Sequence, residues 1–93
     1  MDNKDSFSEN HAIGFKDLVM GFSGAALHYL GETKASSSKD FVINLPLARQ
    51  NIELISLLFD KTQGNLTKEE EALIQQVLLD LKMRFIEKSK SSH

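Results

Sequence analysis

The best-placed reactive side chains in this sequence are those of His28, Tyr29 and Glu32. An imidazole and a carboxylate lie near each other in the sequence, and together they could supply two ligands to a metal ion. Two ligands do not close a zinc site, and the sequence places no third or fourth ligand nearby. Because a histidine in the last turn of a helix favours the helix dipole, we expect His28 to cap or pack. The alternative is a ligand-binding or enzymatic site that forms between subunits around these three residues.

Other groups that suggest chemistry have structural explanations. The acidic run at residues 69–71 lies at the start of a predicted helix, where carboxylates stabilise the helix dipole. The serine run at residues 36–38 has no neighbouring base or glycine-rich turn, which is typical of a linker. The chain has no cysteine, so disulfides, thiolate metal sites and a cysteine nucleophile are excluded. We therefore predict no catalytic, cofactor-binding or metal-binding residue and no enzyme activity.

The charge of the chain argues against a nucleic-acid partner. The formal net charge is −2, whereas counterion release from nucleic acid requires a positive field. The mildly basic stretch at residues 82–90 ends a predicted helix, where cations complement the dipole. The most apolar stretch, residues 18–30, is shorter than a membrane span, and residues 1–10 lack the pattern of a signal peptide. We expect a cytoplasmic protein with no nucleic-acid partner and no membrane span.

Apolar periodicity predicts three helices in a single domain over residues 12–88. The predicted helices cover residues 15–30, 45–62 and 68–88. Polar composition predicts disordered tails at residues 1–11 and 89–93, and residues 31–44 are predicted to form a loop that contains a brief extended segment at 41–43. The predicted fold class is all-α: a long first helix, a loop and an antiparallel helical hairpin.

Capping residues mark the ends of the predicted helices. Asn44 is a preferred cap for the start of the second helix, and Gly31 suits the left-handed position after the first. Gly64 suits the same position after the second helix. Thr67 and Glu70 form a capping box, in which each side chain accepts the backbone N–H of the other residue. These signals predict a tight turn between the second and third helices.

The predicted helices carry more apolar surface than one chain can bury. On a helical wheel the third helix has a core stripe and, roughly 160° away, a second apolar stripe. The residues of that second stripe are Ala72, Leu79, Met83 and Ile86. The far side of the first helix carries Met20, Gly21, Gly24 and Leu27, and its glycines would let another helix approach closely.

Both stripes together would form a larger exposed apolar patch than a soluble monomer usually carries. We therefore expect these residues to form the interface of a homo-oligomeric helical bundle, with a dimer as the first guess, or to bind a protein partner. The leading hypothesis is a non-enzymatic interaction module that acts as a scaffold, adaptor or regulator. The alternative is that the loop or the extended segment folds back over the stripes.

The hairpin region has a distinctive sequence, NLPLARQNIEL followed after a short gap by DKTQGNLTKEEE. Together with residues 25–32, it resembles a bacterial family of small proteins known as domain of unknown function 1844, over about residues 15–87. The resemblance implies a bacterial, cytoplasmic, helical protein, and it implies no activity, substrate or site residue. The sequence departs from the family at residues 33–39, where the usual connection is shorter, and at Pro46, where the family tends to have an acidic residue.

Overall fold

Three helices and a two-stranded ribbon make up the part of the chain that the structure describes. A computed structural model describes residues 14–34 and 41–91. The elements are α1 (Phe15–Tyr29), β1 (Leu30–Lys34), β2 (Phe41–Ile43), α2 (Leu45–Lys61) and α3 (Lys68–Ser91). The predicted all-α class and the three helices are confirmed. Among the described helices, none is both long enough and apolar enough to cross a membrane.

A single apolar core lies where the three helices meet. Its buried apolar residues are Val19, Ala26, Leu30, Ala48, Ile52, Ile55, Ile74, Leu78 and Leu81. Within each helix they recur at spacings of three, four or seven residues, which places them on one side of that helix. α1 packs most extensively against α2, and α3 packs against both. The core is small, as expected for a chain of this length.

The turn between α2 and α3 is held by capping interactions from both helices. The Thr62 hydroxyl donates to the Leu58 carbonyl at 2.7 Å, which satisfies an acceptor in the last turn of α2. Gly64 has a φ of 86°, in the left-handed region that glycine adopts without steric cost. At the start of α3, the Thr67 N–H donates to Glu70 Oε1 at 2.9 Å, and the Glu70 N–H donates to Thr67 Oγ1 at 3.1 Å. The predicted capping box and tight turn are confirmed.

The connection between α1 and α2 corrects the predicted loop at residues 31–44. Residues described there form an antiparallel ribbon, in which Leu30 lies opposite Ile43. Gly31, with a φ of 80°, turns the chain back from the end of α1, as predicted for the residue after that helix. The Asn44 N–H then donates to the Tyr29 carbonyl at 2.7 Å. The ribbon forms because backbone groups beside the core need hydrogen-bond partners.

The third helix extends beyond its predicted end. α3 continues to Ser91, so residues 89–91 are helical rather than part of the predicted disordered tail. Lys88 and Lys90 in the last turn complement the helix dipole, and Lys88 also pairs with Glu32 at 3.8 Å. The predicted tail at residues 1–11 lies outside the described residues.

The molecule is thin in one direction. The Cα atoms span 17 Å along the shortest principal axis. This thickness corresponds to about two layers of helices, because the axes of packed helices lie roughly 8–10 Å apart. In such a thin arrangement a helix cannot be enclosed on every side, and α3 keeps one long side toward solvent.

Candidate interaction surface

Six side chains along the outer side of α3 form a row that we call the α3 face. They are Ala72, Gln76, Leu79, Met83, Ile86 and Lys90, and all six are exposed. The centre of the row is apolar and open: 62% of Leu79, 61% of Met83 and 53% of Ile86 is exposed. On the opposite side of the same helix, Ile74 and Leu81 are fully buried. The structure therefore places the predicted second stripe of α3 on the outside, and its membership of an interface stays a prediction.

The outer side of α1 carries three of the four residues predicted there. Met20 is 46% exposed, and Gly21 and Gly24 are exposed as well. A Cβ atom placed on either glycine would meet nothing within 4 Å beyond the neighbouring backbone of its own helix. The space beside these glycines is open, and the approach of another helix there stays a prediction.

Leu27 departs from its predicted position on the far side of α1. It is partly buried and packs against the core. The helical wheel placed it outside because a wheel assumes one buried side, whereas α1 packs against α2, α3 and the ribbon. Leu27 therefore contributes less to any interface of α1 than Met20 does.

A groove between α1 and α2 adjoins the outer side of α1. Its lining residues are Asp17, Leu18, Gly21, Phe22, Ala25 and Asn51. The Asp17 carboxylate accepts the Gly14 N–H at 2.9 Å, so it caps the start of α1. The Asn51 amide donates to the Leu47 carbonyl at 2.9 Å, within α2. The polar side chains of this groove therefore take part in the local structure of α1 and α2.

Sequence reasoning missed three exposed leucines. Leu18 is 43% exposed, Leu54 is 36% exposed and Leu57 is 51% exposed. Leu57 lies among Glu53, Asp60 and Lys61 on the α2 wheel, and this polar setting is a signal that could have identified it as exposed. Leu18 has no such signal. It directly precedes the buried Val19, and on the helical wheel its own position also fits the core. Single exposed leucines of this kind are common on protein surfaces.

Glu32 pairs with cationic side chains of α3. Its carboxylate lies 3.3 Å from Arg84 and 3.8 Å from Lys88. Arg84 Nε also donates to Asp80 Oδ2 at 2.9 Å, and this hydrogen bond, with the attraction of the Asp80 charge, raises the pKa of Arg84 above its usual value. Glu32 therefore ties β1 to a guanidinium that stays protonated.

This tie joins β1 to the C-terminal part of α3, which β1 contacts. α3 has 24 residues and α2 has 17, so α3 is longer by about 10 Å at 1.5 Å per residue. Phe85 packs against the core, and Phe85 and Ile86 line a groove with Arg49 of α2. The ion pairs of Glu32 therefore add a contact with β1 near the end of α3.

Two of the three residues with which the sequence suggested a site are in contact with each other. The rings of His28 and Tyr29 meet edge to face, with centroids 5.1 Å apart. The ion-pair partners of Glu32 in the described structure belong to α3, as given above. Across residues 14–34 and 41–91, no group of three or more His, Asp or Glu side chains could hold a metal ion.

Comparisons with known proteins connect the chain with a family. No curated protein and no solved structure matches it. The family model described as Domain of unknown function (DUF1844) matches residues 12–87. This match covers all three helices as far as Glu87, including the capped turn between α2 and α3 and the distinctive hairpin sequence, and it confirms the resemblance seen in the sequence. The chain belongs to the domain of unknown function 1844 family.

Proposed function

We propose that this protein is a non-enzymatic, self-associating interaction module that forms a homo-oligomer through the α3 face and acts as a scaffold, adaptor or regulator. One observation carries the proposal: Leu79, Met83 and Ile86 form a continuous apolar row, each more than half exposed, on a helix whose opposite side already fills the core.

The energetic argument is the hydrophobic effect. Burying one large apolar side chain is worth about 1.5–3 kcal/mol relative to leaving it in water. The apolar residues of the core are already buried against each other within the chain. The row on α3 can therefore gain this energy only by contact with a second surface. Another copy supplies a surface of matching character, and a closed symmetric assembly leaves no row uncovered.

Features outside the α3 face support a binding role over a catalytic one. Glu32, the most plausible acid of the sequence-based alternative site, is engaged with Arg84 and Lys88. The grooves beside the helices are open, and the polar groups of the α1–α2 groove serve caps and helix hydrogen bonds. These groups are occupied in maintaining the fold.

Light scattering on purified chains tests the proposal. The wild-type chain of 10.4 kDa is expected to have a mass that is a multiple of this value at micromolar concentration. Leu79→Glu is expected to reduce the mass toward one chain, because a carboxylate then replaces the apolar centre of the α3 face. Leu57→Glu is the matched control, since this leucine of α2 has similar exposure and lies away from the α3 face.

Circular dichroism on both variants separates dissociation from unfolding. We expect the same helix content in each, because both leucines are more than half exposed. A wild-type chain that is monomeric and folded would overturn the proposal. Unfolding by Leu79→Glu alone would also overturn it, because the α3 face would then belong to the core of the single chain.

A further inference from the structure

The α3 face has the spacing of a coiled-coil seam. Its positions 72, 76, 79, 83, 86 and 90 alternate at intervals of four and three residues. In a coiled coil, side chains at these intervals lie along the seam, which is the side of a helix that faces its partner helix. Each heptad has two seam positions. All six positions are exposed, so the complete row is accessible over most of the length of α3.

We infer that two copies of this chain pair along their α3 helices, parallel and in register, an arrangement that rests on the proposed self-association. In this pairing each residue of the α3 face meets its own counterpart. Leu79, Met83 and Ile86 then form three consecutive apolar layers with the same residues of the partner. The exposed apolar centre of one α3 covers that of the other.

The polar seam residue Gln76 favours the parallel arrangement. In a parallel pair Gln76 meets the partner's Gln76, and an amide can both donate to and accept from another amide. A single polar pair at a seam position also fixes the register and the number of helices. In the antiparallel pairing that best overlaps Leu79 with Met83, Gln76 would lie against Ile86, which leaves a desolvated amide without a partner.

The charges beside the seam favour the same orientation. Lys82 lies on one flank of the seam, and Asp80 and Glu87 lie on the other; all three are exposed. In a parallel pair opposite flanks meet, so Lys82 approaches the partner's Glu87, and symmetry gives this contact twice. In an antiparallel pair each flank meets itself, which sets Lys82 against the partner's Lys82 and Asp80 against the partner's Asp80. Like charges in direct opposition disfavour that pairing.

Lys90 at the end of the seam meets the partner's Lys90 in the parallel pair. Because it lies near the last turn of α3, its aliphatic stem can cover the neighbouring layer while the ammonium group reaches water and salt, which screen this like-charge pair. A lysine at one seam position is also a feature that limits the number of paired helices. The α3 face therefore specifies a dimer rather than a larger bundle.

Disulfide trapping tests the orientation, because the native chain has no cysteine to interfere. In the parallel dimer of Gln76→Cys chains, the two substituted positions lie in the same layer. Their Cα atoms are expected to lie within the separation of about 4.4–6.8 Å that a disulfide requires. In the antiparallel dimer the two positions lie about 15 Å apart along the axis, ten residues at 1.5 Å each. Mild oxidation of Gln76→Cys is expected to give a covalent dimer, and Leu57→Cys is the control expected to remain uncrosslinked.

The outcomes distinguish this inference from the proposed function. A noncovalent dimer that crosslinks only when Gln76→Cys chains are mixed with Ile86→Cys chains is antiparallel, which overturns the inference and leaves self-association through the α3 face intact. A dimer that crosslinks in neither experiment overturns both the orientation and the α3 face as the interface. A monomeric wild-type chain overturns the proposed function itself.

Charge exchange gives a second, independent readout of the orientation. Lys82→Glu is expected to raise the dimer dissociation constant by about fivefold, as is Glu87→Lys, because each breaks two exposed ion pairs across the interface. The double variant Lys82→Glu/Glu87→Lys restores both pairs with reversed sign and is expected to recover most of the affinity. Failure of the double variant to recover any affinity would overturn the parallel register.

Discussion

At the scale of single residues, short polar side chains and glycines decide where the helices begin and end. Thr67 and Glu70 satisfy each other's backbone N–H groups, and the Thr62 hydroxyl satisfies a carbonyl at the end of α2. Gly64 supplies the left-handed turn between them. These interactions involve residues within four positions of each other, so they were readable in the sequence.

The capping box makes a measurable contribution to stability. Thr67→Ala removes the hydroxyl that accepts the Glu70 N–H, and we expect the free energy of unfolding to fall by about 1 kcal/mol. Thr67→Ser keeps the hydroxyl and is expected to retain most of that energy. Urea denaturation measures both values, and equal losses in the two variants would contradict the assignment of the hydroxyl as the cap.

Two glycines are expected to respond oppositely to alanine. Gly64→Ala places a side chain at a φ of 86° and should lower the free energy of unfolding by about 1–2 kcal/mol. Gly24→Ala lies within α1 with open space around it, and should raise it by up to about 1 kcal/mol through helix propensity. Urea denaturation of dilute chains measures both. Destabilisation by Gly24→Ala would show that something packs closely against this side of α1.

At the scale of elements, α3 is a helix with two different apolar sides. Ile74 and Leu81 are buried against the other helices, whereas Leu79 and Met83 face solvent. The helical wheel predicted both stripes because each follows the helical repeat. It could not determine which stripe a neighbour covers, since that depends on how α1 and α2 are placed.

Alanine substitutions distinguish the two sides of α3. Leu81→Ala creates a cavity at a fully buried position and is expected to lower the free energy of unfolding by about 2–5 kcal/mol. Leu79→Ala, at a position that is 62% exposed, should change it by less than about 0.5 kcal/mol in dilute, monomeric chains. Urea denaturation provides the comparison. A large loss for Leu79→Ala at high dilution would place that residue in the core of one chain.

The ion pairs of Glu32 are expected to stabilise the last turns of α3. Glu32→Gln removes the charge that holds Arg84 and Lys88, and hydrogen exchange of the last two turns of α3 is expected to accelerate while the hairpin is unaffected. The change in global stability should be below about 1 kcal/mol, because these side chains are partly exposed. Glu53→Gln is the control, since it removes only an exposed pair with Arg49 within α2. Unchanged exchange in Glu32→Gln would contradict the role of this tie.

At the scale of the whole molecule, a thin arrangement of three helices leaves apolar surface uncovered. The described structure is 17 Å thick along its shortest axis, and the most exposed large apolar side chains are Leu79 and Met83. The small core of a 93-residue chain gives limited stability. Self-association is expected to add to it.

Stability should therefore depend on chain concentration. For a dimer, each tenfold rise in concentration adds about 1.4 kcal/mol per dimer to the free energy of unfolding. We expect the urea midpoint of the wild-type chain to rise with concentration, and that of Leu79→Glu to stay constant. A midpoint independent of concentration in the wild-type chain would contradict an assembly coupled to folding.

The sequence by itself determined the features that depend on near neighbours along the chain. The three helices, the capped turn at residues 62–67 and the presence of two apolar stripes on α3 follow from periodicity and from hydrogen bonds between residues a few positions apart. The extended segment at 41–43 was recognised as well. Its partner strand, β1, was not recognised. This strand begins directly after α1 and contains glycine, glutamate and lysine, which are depleted in strands.

Only the tertiary structure decided which distant segments meet. It paired Leu30 with Ile43, packed Leu27 against the core and joined Glu32 to Arg84, far along the chain. These contacts depend on the path of the connection and on the packing of α1 against two helices, for which local propensity carries no information. The same packing buried one stripe of α3 and left the other open, and the open stripe is the basis of the proposed function.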